Sequence, residues 1–387
     1  MARVLIYSHD SFGLGHIRRC RTIAHALAES FQKLKVLIVS GSPIIGSFDF
    51  KTRVDFVRVP SIIKLRNGDY VPLDAHSSIE QMTSLRSSLI GDAAIHFAPD
   101  FVIVDKEPLG LRGELEGTLD KLKARGARLV LGLRDVMDDP ESLAKEWERK
   151  RVIPALEELY DDIWIYGLKE IYDPLQGIPL SDRVRAKMRY TGYLKRTKPA
   201  AQAQTVVSNL DQRILVTTGG GGDGEALIGW VLDTYEAERT KLPEAMIVLG
   251  PFMRAEIRTT FEARAAALKL PCEVFEPRME HLMDGCRAVV SMGGYNTFCE
   301  ILSFDKRALI VPRHTPRFEQ TIRAEAAQRL GLSRTIPEPE DGERGNVAQM
   351  ANALRALPSQ PLPSAHPIPN ILGGLENVVA WSKPWLA

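Results

Sequence analysis

The feature that most constrains this chain is an alternation that runs through it twice. Short apolar runs at residues 4–7, 35–40, 101–105, 128–133 and 163–166 read as buried strands. Between them lie longer amphipathic stretches, such as 17–28 and 142–159. The pattern restarts at 213–217 and continues through 245–249, 273–275, 288–291 and 308–311. Strands that alternate with helices return parallel to one another, with both sheet faces covered. Two such series predict an α/β chain built from two doubly wound, Rossmann-like domains. The 387 residues are enough to bury two cores.

The two series meet in a polar stretch with Ala-Gln repeats at 195–211, which places the domains at 1–200 and 205–365. Five prolines among residues 358–369 read as an extended connector. The segment after it, 370–387, is expected to form a short helix over 370–381 that can pack back on the first domain. Charges nearly cancel, at 50 Lys and Arg against 49 Asp and Glu, so no global attraction to nucleic acid is expected. Four cysteines without a CxxC pair argue for a reduced compartment rather than a disulfide scaffold. The apolar run at 4–7 is too short for a signal peptide, and no stretch of about 18 apolar residues suggests a membrane span. The expected location is cytoplasmic, compatible with peripheral association at the inner face of the membrane.

Three glycine-bearing loops follow strand ends, where open parallel sheets bind ligands. The first is Ser11-Phe12-Gly13-Leu14-Gly15-His16. As a dinucleotide fingerprint it fits poorly: Arg18 occupies the third glycine position, and the second strand ends in Val39-Ser40-Gly41 with no acid for a ribose. The second runs from Thr217 to Gly224 and carries Gly219, Gly220, Gly221 and Gly222 before a helix. A glycine loop leading into a helix N-terminus suits an anion, and the absence of a following Gly-Lys-Ser/Thr excludes a P-loop. The third runs from Ser291 through Gly293, Gly294, Tyr295 and Asn296 to Glu300. On spacing alone, Glu300 reads equally well as a plain surface acid.

Together these loops resemble the MurG-like branch of inverting GT-B glycosyltransferases (glycosyltransferase family 28). The resemblance runs from Phe275 to Gln320 in the second domain, and covers mainly the glycine loop and His16 in the first. It implies two domains facing each other across a nucleotide-sugar cleft. It also implies that Glu300 accepts both ribose hydroxyls, and that the backbone at Glu276 reads the base in a pocket lined by Phe275 and Met279. Gly219 to Gly222, Gly293 and Gly294 would hold the diphosphate, with Gly15, Tyr295 and Asn296 beside the nucleotide. Gln320 would contact the donor sugar, with Glu319 and His314 near it. Two departures stand out: Glu319 replaces the first of two adjacent glutamines, and Arg317 replaces an aspartate. Both argue against N-acetylglucosamine as the donor sugar.

Inverting transfer needs a base for the acceptor hydroxyl, and histidine suits the task because its ordinary pKa lies near neutrality. His16 stands at a strand end and is the first candidate. Asp105 ends another first-domain strand; in plant-type GT-B enzymes an aspartate after a comparable strand orients the histidine, and here it reads either as that partner or as a helix cap. No Asp-x-Asp stands at a strand end, and the adjacent pairs Asp138-Asp139 and Asp161-Asp162 lack ligand spacing, so no metal is expected. No cofactor is expected either, since the nucleotide-sugar is a substrate. Arg18, Arg19 and Arg21, with Arg134-Asp135, read either as an anion-holding cluster or as a solvated face. The expected partners are thus a UDP-sugar donor and a glycan or lipid-linked acceptor. A sugar-nucleotide epimerase of the same fold, or a binding protein without turnover, are the alternatives.

Overall fold

In the computed structural model, contacts divide the chain into two compact units, Met1–Leu194 with Asn370–Ala387, and Lys195–Pro369. The structure describes all residues except 10–13, 65–69, 74–76, 199–208, 316 and 341–342, and for Lys64 and Arg239 it describes the backbone only.

The first unit contains strands β1 (Ala2–Ser8), β2 (Leu34–Ser40), β3 (Val54–Arg58), β4 (Ile62–Lys64), β5 (Tyr70–Pro72), β6 (Phe101–Asp105), β7 (Arg128–Arg134), β8 (Asp162–Tyr166) and β9 (Met188–Tyr190). Its helices are α1 (Gly15–Ser30), α2 (Ile79–Phe97), α3 (Glu116–Ala124), α4 (Pro140–Arg149), α5 (Val152–Glu158) and α6 (Asp182–Ala186). Seven strands form one parallel sheet in the order β3-β2-β1-β6-β7-β8-β9, while β4 and β5 pair as a separate antiparallel hairpin. Helices cover the sheet, so β6 and β8 are buried along their whole length. That is why their sequences are continuous apolar runs rather than alternating ones.

The second unit contains β10 (Ile214–Thr217), β11 (Ala245–Val248), β12 (Cys272–Glu273), β13 (Ala288–Ser291), β14 (Arg307–Ile310) and β15 (Arg334–Thr335). Its helices are α7 (Glu225–Glu238), α8 (Ala255–Ala267), α9 (Met279–Gly285), α10 (Tyr295–Ser303), α11 (Glu319–Arg329) and α12 (Val347–Ala356). The sheet is again parallel, in the order β12-β11-β10-β13-β14-β15. In both sheets the strand order reverses direction beside the first strand, between β1 and β6 in one and between β10 and β13 in the other. Such switch points open a crevice at the carboxyl ends of the two strands. The last helix, α13 (Gly374–Leu386), belongs to the first unit. The Tyr193 amide donates to the Ile371 carbonyl at 2.7 Å, and the Trp381 ring lies 6.0 Å from that of Trp164.

Two expectations need correction. Residues 142–159 are not one amphipathic helix: α4 and α5 are separated at Arg151, which takes a left-handed conformation. Pro154 explains the break, since it lacks the N–H that a continuous helix would bond back to residue 150. The strand expected at 273–275 is the two-residue edge strand β12, and Phe275 lies beyond it.

Candidate active site

In the first unit, β1 and β6 are neighbours, with Tyr7 level with Val104. The carboxyl ends of β1 and β6 therefore lie side by side, and the start of α1 meets the end of β6, although His16 and Asp105 are 89 residues apart in sequence. Gly15 opens α1 and His16 is its second residue. Ser11, Phe12 and Gly13 of the expected loop lie outside the described residues. The His16 Nδ1 and the Asp105 Oδ2 form a short hydrogen bond. Arg19, one turn along α1, makes a two-pronged pair with the same carboxylate: its Nε donates to Oδ1 and its Nη2 to Oδ2, each at 2.7 Å. Arg19 and Asp105 are each 1% exposed, whereas the His16 side chain is 13% exposed. Asp105 is thus a member of a charged cluster rather than a helix cap.

Burial by itself would raise the Asp105 pKa, but the charges of Arg19 and His16 outweigh it and hold the carboxyl at about 2. For His16 the balance falls the other way. Burial pushes its pKa below the ordinary value, Asp105 opposes this, and Arg19 and Lys106 add to it. The resting imidazole is therefore neutral. With Nδ1–H held by the carboxylate, Nε2 is the acceptor, which is the tautomer a general base requires.

Two members of the arginine run have defined partners. Arg19 is consumed by Asp105, while Arg21 lies over the Phe48 ring and donates to the Asp49 carbonyl at 3.3 Å. Asp135, at the end of β7, accepts from the Tyr193 hydroxyl at 3.0 Å. Asp139 caps α4, and Asp161 and Asp162 pair with Arg128, so these pairs have structural roles.

Sequence reasoning missed three neighbours. His9 directly follows β1, and its buried ring lies edge-on to His16 with centroids 5.6 Å apart. Lys106 and Glu107 follow Asp105, and Lys106 holds a left-handed backbone uncommon for a long side chain. The Glu107 carboxylate accepts from Lys150 at 2.7 Å. Although burial alone would raise its pKa, the surrounding charges hold it far below the usual carboxylate range. Their signal was position: both segments stand immediately after the two strands that flank the switch point.

In the second unit the other two glycine loops follow β10 and β13, the pair at its switch point. Gly219 and Gly221 have positive φ. A Cβ on Gly221 would lie 2.6 Å from the Leu249 carbonyl oxygen, so this glycine is required by close packing against the turn after β11. Around Gly219 and Gly294 a Cβ would meet nothing within 4 Å. Gly294 is the N-cap of α10, which has no side-chain cap and no acid in its first turn. Its N-terminal amides and dipole favour an anion. The start of α7 is less suited, because Glu225 stands there, paired with Arg254 at 2.5 Å.

Tyr295 and Asn296 begin α10; Asn296 is buried and accepts from Arg196 at 2.6 Å. Glu300 is 0% exposed, which removes the surface-acid reading. Phe275 and Glu276 are partly exposed, and Glu276 accepts from the Arg278 amide at 2.7 Å. Met279 is packed in the core with Leu210, Leu282 and Met283. Beyond β14, Arg313 ties the loops together. It pairs with Asp223 of the glycine loop at 2.7 Å and with Glu319 at 3.4 Å, and its amide donates to the Gln320 side chain at 3.3 Å. The His314 Nδ1 lies 3.4 Å from the Thr321 hydroxyl.

Both sheets, their switch points and the returning C-terminal helix give the chain the GT-B fold, and solved structures agree. A calicheamicin glycosyltransferase, CalG4, matches with a TM-score of 0.58 and 15% identity over 100% of this chain and 98% of that one. A putative UDP-N-acetylglucosamine 2-epimerase from Listeria monocytogenes matches with a TM-score of 0.60 and 14% identity over 99% and 96%. Phytolacca americana UGT2, solved with UDP-2-fluoroglucose and pterostilbene, matches with a TM-score of 0.61 and 11% identity over 100% and 95%. No family model matches the sequence, and no curated protein does. Among the described residues, no helix is long and apolar enough to cross a membrane.

Proposed function

We propose that this chain is an inverting, metal-independent glycosyltransferase of MurG-like type, which moves a sugar from a UDP-sugar to a glycan or lipid-linked acceptor. The observation that carries the reading is the pair of glycine turns at the second unit's switch point, with open space at Gly219 and Gly294 beside the uncapped start of α10. Backbone amides there suit a diphosphate, and they stabilise its charge as it departs. Phe275 and Glu276 border the base, and Glu319, Gln320 and His314 border the sugar. Glu300 takes the ribose hydroxyls; because it is fully enclosed, this contact requires the side chains around it to withdraw.

In the first unit, His16 acts as base. Its Nε2 takes the proton of the acceptor hydroxyl as that oxygen attacks the sugar's anomeric carbon. The bond from that carbon to the diphosphate breaks, and the nucleoside diphosphate leaves with the electron pair. Asp105 stabilises the imidazolium that forms.

Epimerisation is the second reading, and one observation favours it: His9 places a second imidazole beside His16. Incubation with a panel of nucleotide sugars, with and without lipid-linked or glycan acceptors, separates the two. Transfer gives acceptor-stimulated release of nucleoside diphosphate. Epimerisation gives a new sugar nucleotide without net release, and a binding protein gives neither.

A further inference from the structure

The cluster at the first unit's switch point contains one residue that a histidine–aspartate pair does not need. Arg19 is buried, its fork is matched to both oxygens of Asp105, and its Nη2 lies 3.1 Å from the His16 Nδ1. A buried guanidinium is strongly destabilising unless it is well paired, so a structural role for Arg19 must lie in its pairing.

The tautomer shows what that pairing does. A guanidinium can only donate, and an ionised carboxylate can only accept. If the His16 Nδ1 were bare, it would accept from Arg19 but would set its lone pair against the Asp105 oxygen. The close Nδ1–Oδ2 contact therefore requires the proton on Nδ1. Both prongs of Arg19 then serve to fix the carboxylate that receives this proton. The positive charge beside Nδ1 acts at the same time against a second proton on the ring. Among the described residues, the other titratable groups facing His16 are Lys106, which follows β6, and His9, which follows β1; as cations both would oppose imidazolium too.

We propose that Arg19 is a positioning residue for His16: its fork holds Asp105 in the orientation that selects the base tautomer, and its charge offsets that of Asp105 so that the imidazole rests neutral. Asp105 alone, unneutralised and buried, would draw a proton onto His16 and leave the base already occupied. The proposal rests on the reading of His16 as the base, but its test does not require turnover.

The ring resonances of His16, assigned by their loss in His16→Gln, are followed by NMR against pH in the intact chain. In Arg19→Gln the His16 pKa is expected to rise by about one pH unit or more, the scale of a close charge. In Asp105→Asn it falls, and in the double variant Arg19→Gln/Asp105→Asn it returns toward the wild-type value. Should Arg19→Gln alone not fold, the difference between Asp105→Asn and the double variant reads the same Arg19 charge in a neutral pair. A His16 titration that does not move when Arg19 is replaced, in either background, overturns the proposal. Arg19→Lys keeps the charge but not the fork. It is expected to hold the pKa near wild type while lowering kcat with little change in KM for the donor. If transfer is absent with every nucleotide sugar but the titrations shift as stated, the functional reading fails and the role of Arg19 stands. If transfer depends on His16 and the titrations do not shift, the reverse holds.

Discussion

The two switch points occupy equivalent places in two similar sheets and differ in how much open space and how much glycine they carry. At the first, Asp105, Arg19, Glu107 and Lys106 are charged side chains withdrawn from water, and His16 reaches the surface among them. At the second, charged side chains are present as well, with the buried Arg323 donating to the Gly293 carbonyl at 3.0 Å and Arg313 paired with Asp223. The space beside Gly219 and Gly294 is open, however, and the backbone at the start of α10 presents partial positive charge there. Buried side-chain charges can set a proton affinity but tolerate little change around them. Backbone amides cannot titrate, but they hold an anion without a proton to exchange. On the proposed reading, one crevice moves a proton and the other holds a diphosphate.

The largest effect that would break this contrast is at His16. His16→Ala should lower transfer turnover by roughly 10²–10⁴-fold, the usual contribution of a general base. Initial rates at saturating donor test this, and turnover within a few fold of wild type would place the base elsewhere. A glycine substitution should strike the second crevice instead. Gly221→Ala adds a Cβ 2.6 Å from the Leu249 oxygen at a positive φ, and should cost about 1–3 kcal/mol of stability in thermal unfolding. Gly294→Ala, where the Cβ meets nothing, should leave unfolding unchanged.

Stability against pH sharpens the same comparison. The buried His9 and the largely enclosed His16 have pKa values lowered by desolvation, so the unfolded chain takes up protons that the folded chain refuses. Their contribution is present above the ordinary imidazole pKa of about 6.5 and is lost as pH falls below it, by about 1.4 kcal/mol per pH unit for each proton. Asp105, held at about 2, and Glu107, held lower still, add a second loss below the ordinary carboxylate range, near pH 4. Urea unfolding from pH 8 to pH 3 should show both declines, and replacing His16 with Gln should make the first shallower without removing the part that His9 contributes. A midpoint independent of pH across this range would contradict the neutral, buried state of these imidazoles.

The smallest expected effect concerns the donor sugar. Glu319 is an acceptor-only group where the MurG-like resemblance implies an amide, and Arg313 fixes it at 3.4 Å. Free hydroxyls on the sugar should therefore be favoured over an acetamido group. UDP-glucose or UDP-glucuronate should exceed UDP-N-acetylglucosamine in initial rate by about 2- to 10-fold, the scale of one net hydrogen bond. A preference for the N-acetylated donor would show that Arg317 and Glu319 do not set sugar choice.

Much of the fold is legible in the sequence because the central strands are buried on both faces and so read as unbroken apolar runs. The edge strands β9, β12 and β15 are two or three residues long and carry no such run. The glycine loops were visible because turns at strand ends demand particular residues. The pairs Arg19–Asp105 and Arg313–Asp223 were not visible. They join segments far apart in sequence, and no local periodicity says which buried charge will face which. Tertiary packing likewise decided Met279, whose position in the motif suggests a pocket and whose side chain fills the core.

The division of labour between the two crevices is tested most directly by calorimetric titration of UDP into three proteins side by side. The wild-type chain should bind, and His16→Ala should bind with nearly the same affinity. Glu300→Ala should bind at least about tenfold more weakly, since charge-assisted hydrogen bonds are worth roughly 1.5–3 kcal/mol each. No binding by the wild-type chain, or an affinity lost with His16 and kept without Glu300, would contradict the assignment of the nucleotide to the second unit.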